Sequence, residues 1–225
     1  VSLPVLAKAF KKRNTKKISD IQNKSFELSL LLSIPASCGL ILASNQIVNA
    51  LFGYGSFSIK DVEITAIALK FFGYGVPAFA LIKILSNFFF ARDNTKIPFY
   101  ISTFIVILNI LISVSLFSRM GFIIIPIATS ISTWVGVIIY LYLLNYKKSL
   151  LLQRQLVLKF IKIMISAIIM SLTLFLALEN FTSYLDYTHD YKAIYLILIV
   201  SFVGTLYLIS CYLLGLLKLK NYKTN

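Results

Sequence analysis

Six long apolar runs, each bounded by charged or turn-forming residues, leave this 225-residue chain little choice of solvent. A helix needs about 20 apolar residues to cross the hydrocarbon core of a bilayer. Stretches of that kind run from Phe26 to about Ala43, about Ile64 to Phe90, Pro98 to Phe117, Gly121 to Leu144, about Phe160 to Leu178 and about Ala193 to Leu217. Apolar residues make up 59% of the chain and charged residues 13%. A soluble domain is about a quarter charged, and one of this size could not hide so much apolar surface. None of the runs alternates polar and apolar positions as barrel strands do, so α-helices are expected to satisfy the backbone in lipid. The expected fold class is an all-α membrane protein with six transmembrane helices.

The connecting segments alternate in charge. Lys8, Lys11, Lys12, Arg13, Lys16, Lys17 and Lys24 precede the first run, against Asp20. Lys60, Asp61 and Glu63 lie before the second, Arg92, Asp93 and Lys96 after it, and Arg119 alone before the fourth. Lys147, Lys148, Arg154, Lys159 and Lys162 follow the fourth; Glu179, Asp186, Asp190 and Lys192 follow the fifth; Lys218, Lys220 and Lys223 close the chain. This order matches the positive-inside rule for six spans with both ends cytoplasmic. The net charge of +14 therefore reads as topology, with membrane lipids and no nucleic acid as the expected surroundings.

The chain starts at Val1 with no methionine and no signal-peptide pattern, and is expected to be a piece of something longer. Leu3 to Leu6 reads as the end of an earlier apolar helix. Ala9 to Glu27 reads as a basic amphipathic helix lying at the cytoplasmic surface. Three parts result: residues 1–24, the helix end and basic segment; 25–146, four spans; and 147–225, a cytoplasmic loop and two further spans.

Catalysis finds little support. His189 is the only histidine, and Cys38 and Cys211 are too few and too separated for a metal site or disulfide scaffold. Asp61, Glu63, Glu179, Asp186 and Asp190 fall at the outer face without the paired spacing that acid–base or metal-dependent transfer needs.

The second run is longer than a bilayer requires and holds Gly73, Gly75 and Pro77 in Phe-Gly-Tyr-Gly-Val-Pro. Proline removes one helix hydrogen bond, so a kink or break is expected near Gly73. The same run carries Lys70 and Lys83. Each lysine either snorkels to its nearer interface or faces a cavity that draws an anionic substrate. Asn87 lies one turn beyond Lys83 on the same helical face, which favours Lys83 for the cavity. Lys83, Asn87, Arg92 and Lys70 form the candidate substrate-binding set. The third and fourth runs offer Asn109 and Ser113 at i, i+4, then Thr129, Ser130, Ser132 and Thr133. Helix-to-helix hydrogen bonding is the ordinary account of such residues. A weak monovalent-cation site from Asn109, Ser113, Thr129 and the Ile125 carbonyl is the sharper one; no other cofactor is expected.

Leu51-Phe52-Gly53-Tyr54-Gly55-Ser56-Phe57 resembles the LFGxGxF signature of the MurJ/MviN flippase family. Lys83 to Pro98 resembles that family's stretch of KVL, FYAR, DT and a closing proline. Gly121-Phe122 followed by Ala128-Thr129-Ser130-Ile131-Ser132-Thr133-Trp134 is a third match, and Leu3-Pro4 with Leu6 is similar to its LPxLS, with Ala7 in place of serine. The resemblance covers nearly the whole chain. It implies a fourteen-helix, MATE-like flippase fold of which these spans are the ninth to fourteenth. It further implies movement of lipid II, the undecaprenyl-pyrophosphate-linked peptidoglycan precursor, across the bacterial inner membrane. The family's substrate-gripping arginines belong to its first, second and eighth spans, and this chain holds none of those arginines, so the missing N-terminal lobe is an expected partner; Ser113 stands where some members carry a carboxylate. Another exporter of the same superfamily, for O-antigen or for drugs and cations, is the alternative; a polyprenyl-phosphate glycosyltransferase and a scaffold subunit are the readings of other classes.

Overall fold

The computed structural model describes residues 3–217. Lys218, Lys220 and Lys223, the closing basic segment of the topology pattern, lie outside the described residues. The chain forms helices α1 (Leu3–Lys11), α2 (Thr15–Leu42), α3 (Ser44–Phe52), α4 (Ile59–Phe90), α5 (Lys96–Met120), α6 (Ile124–Tyr146), α7 (Arg154–Asn180) and α8 (Lys192–Leu213).

Five continuous helical segments are long and apolar enough to cross a membrane, one of them the 51-residue stretch Lys96–Tyr146. At about 1.5 Å per residue a straight helix of that length would far exceed a bilayer. Gly121 divides it: its φ of +60° and a 3-10 turn over Gly121–Ile123 reverse the chain, a backbone region open to glycine at little cost. Asn109 then meets Thr129 across α5 and α6, and Ile105 meets Gly136, a pairing that only antiparallel helices give. Six crossing helices result, and the chain is a multi-pass membrane protein.

The expected surface helix from Ala9 to Glu27 is absent. The chain breaks at Arg13, which takes a φ of +51°, and Asn14 caps α2 by accepting a bond from Lys17 N at 2.9 Å. From Thr15 the same helix continues through the first apolar run to Leu42. Ile18, Gln22, Asn23, Ser25 and Phe26 are buried because other helices and loops cover the start of α2. The division at residue 24 therefore falls inside one helix.

Helix α2 separates two cores. On one side Phe26 packs edge-on to Phe88 at 5.8 Å, within a core shared with α1, α4, α5 and α6. On the other, Leu31 and Ile34 join residues of α7 and α8, so the last two spans form a hairpin against α2. Removing surface from lipid brings little net gain, so close packing and interhelical hydrogen bonds carry this association.

Those bonds collect where proline interrupts the backbone ladder. Pro77 has no N–H for the Gly73 carbonyl four residues earlier, and Ser37 of α2 donates to that carbonyl at 2.7 Å. Pro35 likewise frees the Leu31 carbonyl, which accepts from the Tyr207 hydroxyl of α8 at 2.7 Å. Ser130 and Trp134 of α6 add bonds to the Phe71 and Tyr74 carbonyls at 2.7 and 3.0 Å. Helix α4 consequently runs unbroken from Ile59 to Phe90, without the break that the Gly-Pro run suggests.

Candidate functional site

A groove of about 380 Å³ opens between α1, α2 and α4, towards the basic end of the bundle. Leu3, Leu6, Leu28, Leu32, Ile84 and Phe88 give it apolar walls, and Lys83, Asn87, Ser25 and Ser29 supply its polar groups. No carboxylate lines it. Lys83 is exposed and Asn87 half-buried. The single ion pair among the described residues, Lys159 with Glu27 at 2.6 Å, lies elsewhere. The groove thus presents an uncompensated ammonium beside apolar surface, an arrangement suited to an anionic amphiphile.

The four substrate candidates do not come together. Lys83 and Asn87 share the groove. Lys70 stands thirteen residues earlier on α4, about 20 Å along the axis at 1.5 Å per residue and on a different face at 3.6 residues per turn; it is exposed near the other end. Arg92 turns the other way. Its guanidinium lies 4.4 Å from the centre of the Phe10 ring and donates to the hydroxyl and carbonyl oxygens of Ser149. Burial lowers its pKa from the usual value, although a guanidinium stays charged in proteins.

Arg92 belongs to a clasp that holds the 147–153 loop on α2. The wholly buried Gln22 donates to the Ser149 carbonyl and accepts from Leu151 N, both at 3.0 Å. Asn23 donates to the Leu151 carbonyl at 2.8 Å and accepts from Gln153 N at 2.9 Å; Ser19 also donates to Leu151 at 2.8 Å. Side-chain amides here replace the regular partners that the loop backbone lacks. The polar quartet of residues 19–23 in a basic segment was the available sequence signal, and its role escaped the charge count.

The cation candidates adopt the helix-joining arrangement. Asn109 Nδ2 donates to Thr129 Oγ1 at 2.8 Å, and Thr129 donates to the Ile125 carbonyl at 2.7 Å. Ser113 sits one turn beyond Asn109, its hydroxyl buried and without a hydrogen-bond partner.

At the opposite end the Gly-rich loop is organised by a residue counted before only as a loop charge. Lys192 is 1% exposed. Its Nζ donates to the Gly53 and Tyr187 carbonyls, both at 2.7 Å, and to Asn49 Oδ1 at 3.3 Å. The rings of Tyr54 and Tyr187 lie 4.2 and 4.7 Å away. An ammonium at the carbonyl end of α3 also suits the helix dipole. Gly55 has a φ of +60°, as a tight turn demands, but Gly53 does not; a Cβ on Gly53 would instead fall 2.6 Å from the Asn49 carbonyl oxygen. The loop motif thus fastens the α7–α8 hairpin to α3 and α4.

Six crossing helices with a proline-interrupted, polar-bonded interior and a lysine-bearing apolar groove define a polytopic membrane protein. A family model described as "Lipid II flippase MurJ" matches residues 1–197, and the chain belongs to that family. It is 32% identical over 227 residues to a "Probable lipid II flippase MurJ" of Rickettsia prowazekii (strain Madrid E), covering 99% of this chain and 43% of the relative. It is 35% identical over 138 residues to that of Rhizobium tropici, covering 61% and 26%. A solved structure, "Lipid II flippase MurJ, inward closed conformation", superposes with a TM-score of 0.74 at 28% identity, over 95% of this chain and 42% of that one. The chain thus spans less than half the length of these relatives.

Proposed function

We propose that this chain is the C-terminal part of a lipid II flippase of the bacterial inner membrane, with its basic end in the cytoplasm, and that Lys83 and Asn87 help draw the anionic head group into the transport path. The MurJ family match across residues 1–197 carries the reading. The groove supports it, because an ammonium in an apolar, carboxylate-free wall near the cytoplasmic leaflet matches the chemistry of a lipid-linked pyrophosphate. A bulky polar head crosses lipid only through a wet cavity with alternating access, and the rest of that cavity belongs to the helices that complete the protein. Lys70 takes an interfacial, snorkelling role, and Arg92 acts through the loop clasp.

The test is complementation of a flippase-depleted strain by the complete protein, scored as lipid II exposed on the outer leaflet. Lys83→Ala is expected to impair transport and Lys70→Ala to leave it near wild type. Wild-type transport by both variants overturns the role of Lys83. Failure of the unaltered complete protein to restore lipid II exposure overturns the flippase reading itself.

A further inference from the structure

Hydroxyls inside a membrane helix ordinarily donate to the carbonyl four residues back, and this chain follows the habit at many positions. Ser25 bonds Ile21 at 2.7 Å, Thr173 bonds Ile169 at 2.9 Å and Ser210 bonds Leu206 at 2.9 Å. Ser29 does not; its buried Oγ has no partner. Ser33, Ser113 and Ser166 share that state, but none of them lines the groove that holds Lys83. Ser29 does line it. The antiparallel register fixes its height. Phe26 meets Phe88, so Ser29, three residues on, lies level with Leu85, between Lys83 and Asn87.

We propose that Ser29 is a substrate-positioning residue, the third donor of a phosphate seat whose other donors are the Lys83 ammonium and the Asn87 amide, and that the seat takes an isoprenoid diphosphate. This rests on the flippase reading and deepens it by naming the contact. The donors match the ligand in number and kind: a phosphate group offers several acceptor oxygens and no strong donor, and hydroxyl, amide and ammonium all donate. The apolar walls suit the first isoprene units of the attached chain. An unused buried hydroxyl is costly where nothing bonds to it; the Ser29 side chain lines the groove while its Oγ is covered, so rotation about χ1 turns the hydroxyl out to a phosphate oxygen as its acceptor.

The experiment is titration of geranylgeranyl diphosphate into the purified complete protein in detergent, by calorimetry, with Ser29→Ala, Ser29→Thr and Lys83→Ala compared with wild type. Ser29→Ala is expected to weaken binding about tenfold, the scale of one hydrogen bond to a charged group, while its thermal midpoint does not fall, because the hydroxyl has no partner to lose. Ser29→Thr keeps the hydroxyl and stays within about threefold of wild type, well inside that one-bond effect. Lys83→Ala also weakens binding. Unchanged affinity in Ser29→Ala with weakened Lys83→Ala overturns the seat and leaves the lysine's role standing. Unchanged affinity in both overturns the groove as an anion site. Equal displacement of the probe by phosphatidylglycerol overturns the choice of a diphosphate over an ordinary phospholipid head.

Discussion

Ser37 of α2 donates its hydroxyl to the Gly73 carbonyl of α4 at 2.7 Å, the carbonyl that Pro77 leaves without its backbone donor. The serine thereby repairs in a neighbouring helix the defect that the proline creates, and ties the two helices at mid-bundle. Tyr207 and Leu31 repeat the device around Pro35.

Ser37→Ala is expected to lower stability by about 1 kcal/mol, the usual size of an interhelical hydrogen bond in membranes. In a Pro77→Ala background the Gly73 carbonyl regains a backbone donor, so the same change should cost much less. A double-mutant cycle on unfolding of the complete protein in detergent measures the coupling. Equal costs in the two backgrounds would show that the bond does not compensate the proline.

Tyr207→Phe removes only a hydroxyl, yet it leaves the Leu31 carbonyl bare between α2, α7 and α8. A loss of about 1 kcal/mol is expected, together with faster hydrogen exchange on α8. Unaltered exchange along α8 would sink the idea that this bond anchors the terminal hairpin.

Lys192→Met keeps most of the volume but strips donors from two carbonyls and the Asn49 side chain. Bonds to charged groups contribute about 1.5–3 kcal/mol each and do not add simply, so a loss at or above that range is expected. Proteolysis or hydrogen exchange should show opening concentrated in the 182–191 loop and around Gly53. Protection equal to wild type in both segments contradicts the fastening role.

Gln22→Ala leaves the Leu151 N–H unpaired and the Ser149 carbonyl with only the longer bond from Arg92. Trypsin cleavage after Lys147 and Lys148, both exposed at the loop's start, is expected to accelerate several-fold, in line with about 1–3 kcal/mol for an unsatisfied buried group. Arg92→Gln should act in the same direction through Ser149. An unchanged cleavage rate in both variants refutes the clasp.

Hydropathy and the alternation of charge sufficed for the six spans, because a bilayer imposes a length on each helix and topology imposes a sign on each connection. That Lys83 and Asn87 share one groove was likewise legible, since helical periodicity puts i and i+4 on one face. The role of Arg92 was not. Its charge and motif position suggested substrate, and its direction depends on where the 147–153 loop lies, more than fifty residues away. Lys192 was hidden for the same reason: its acceptors Asn49 and Gly53 lie some 140 residues earlier.

The amino-acid sequence by itself determined that this protein lives in lipid, how many times it crosses and which ends are basic, because those properties depend on local apolar length and local charge. Only the tertiary structure decided which carbonyls the prolines expose to which hydroxyls, which lysine is locked and which is open, and that Ser29 stands level with Lys83 and Asn87. Each of these depends on the register between helices distant in sequence, and register follows from packing of whole helix faces, which no local pattern records.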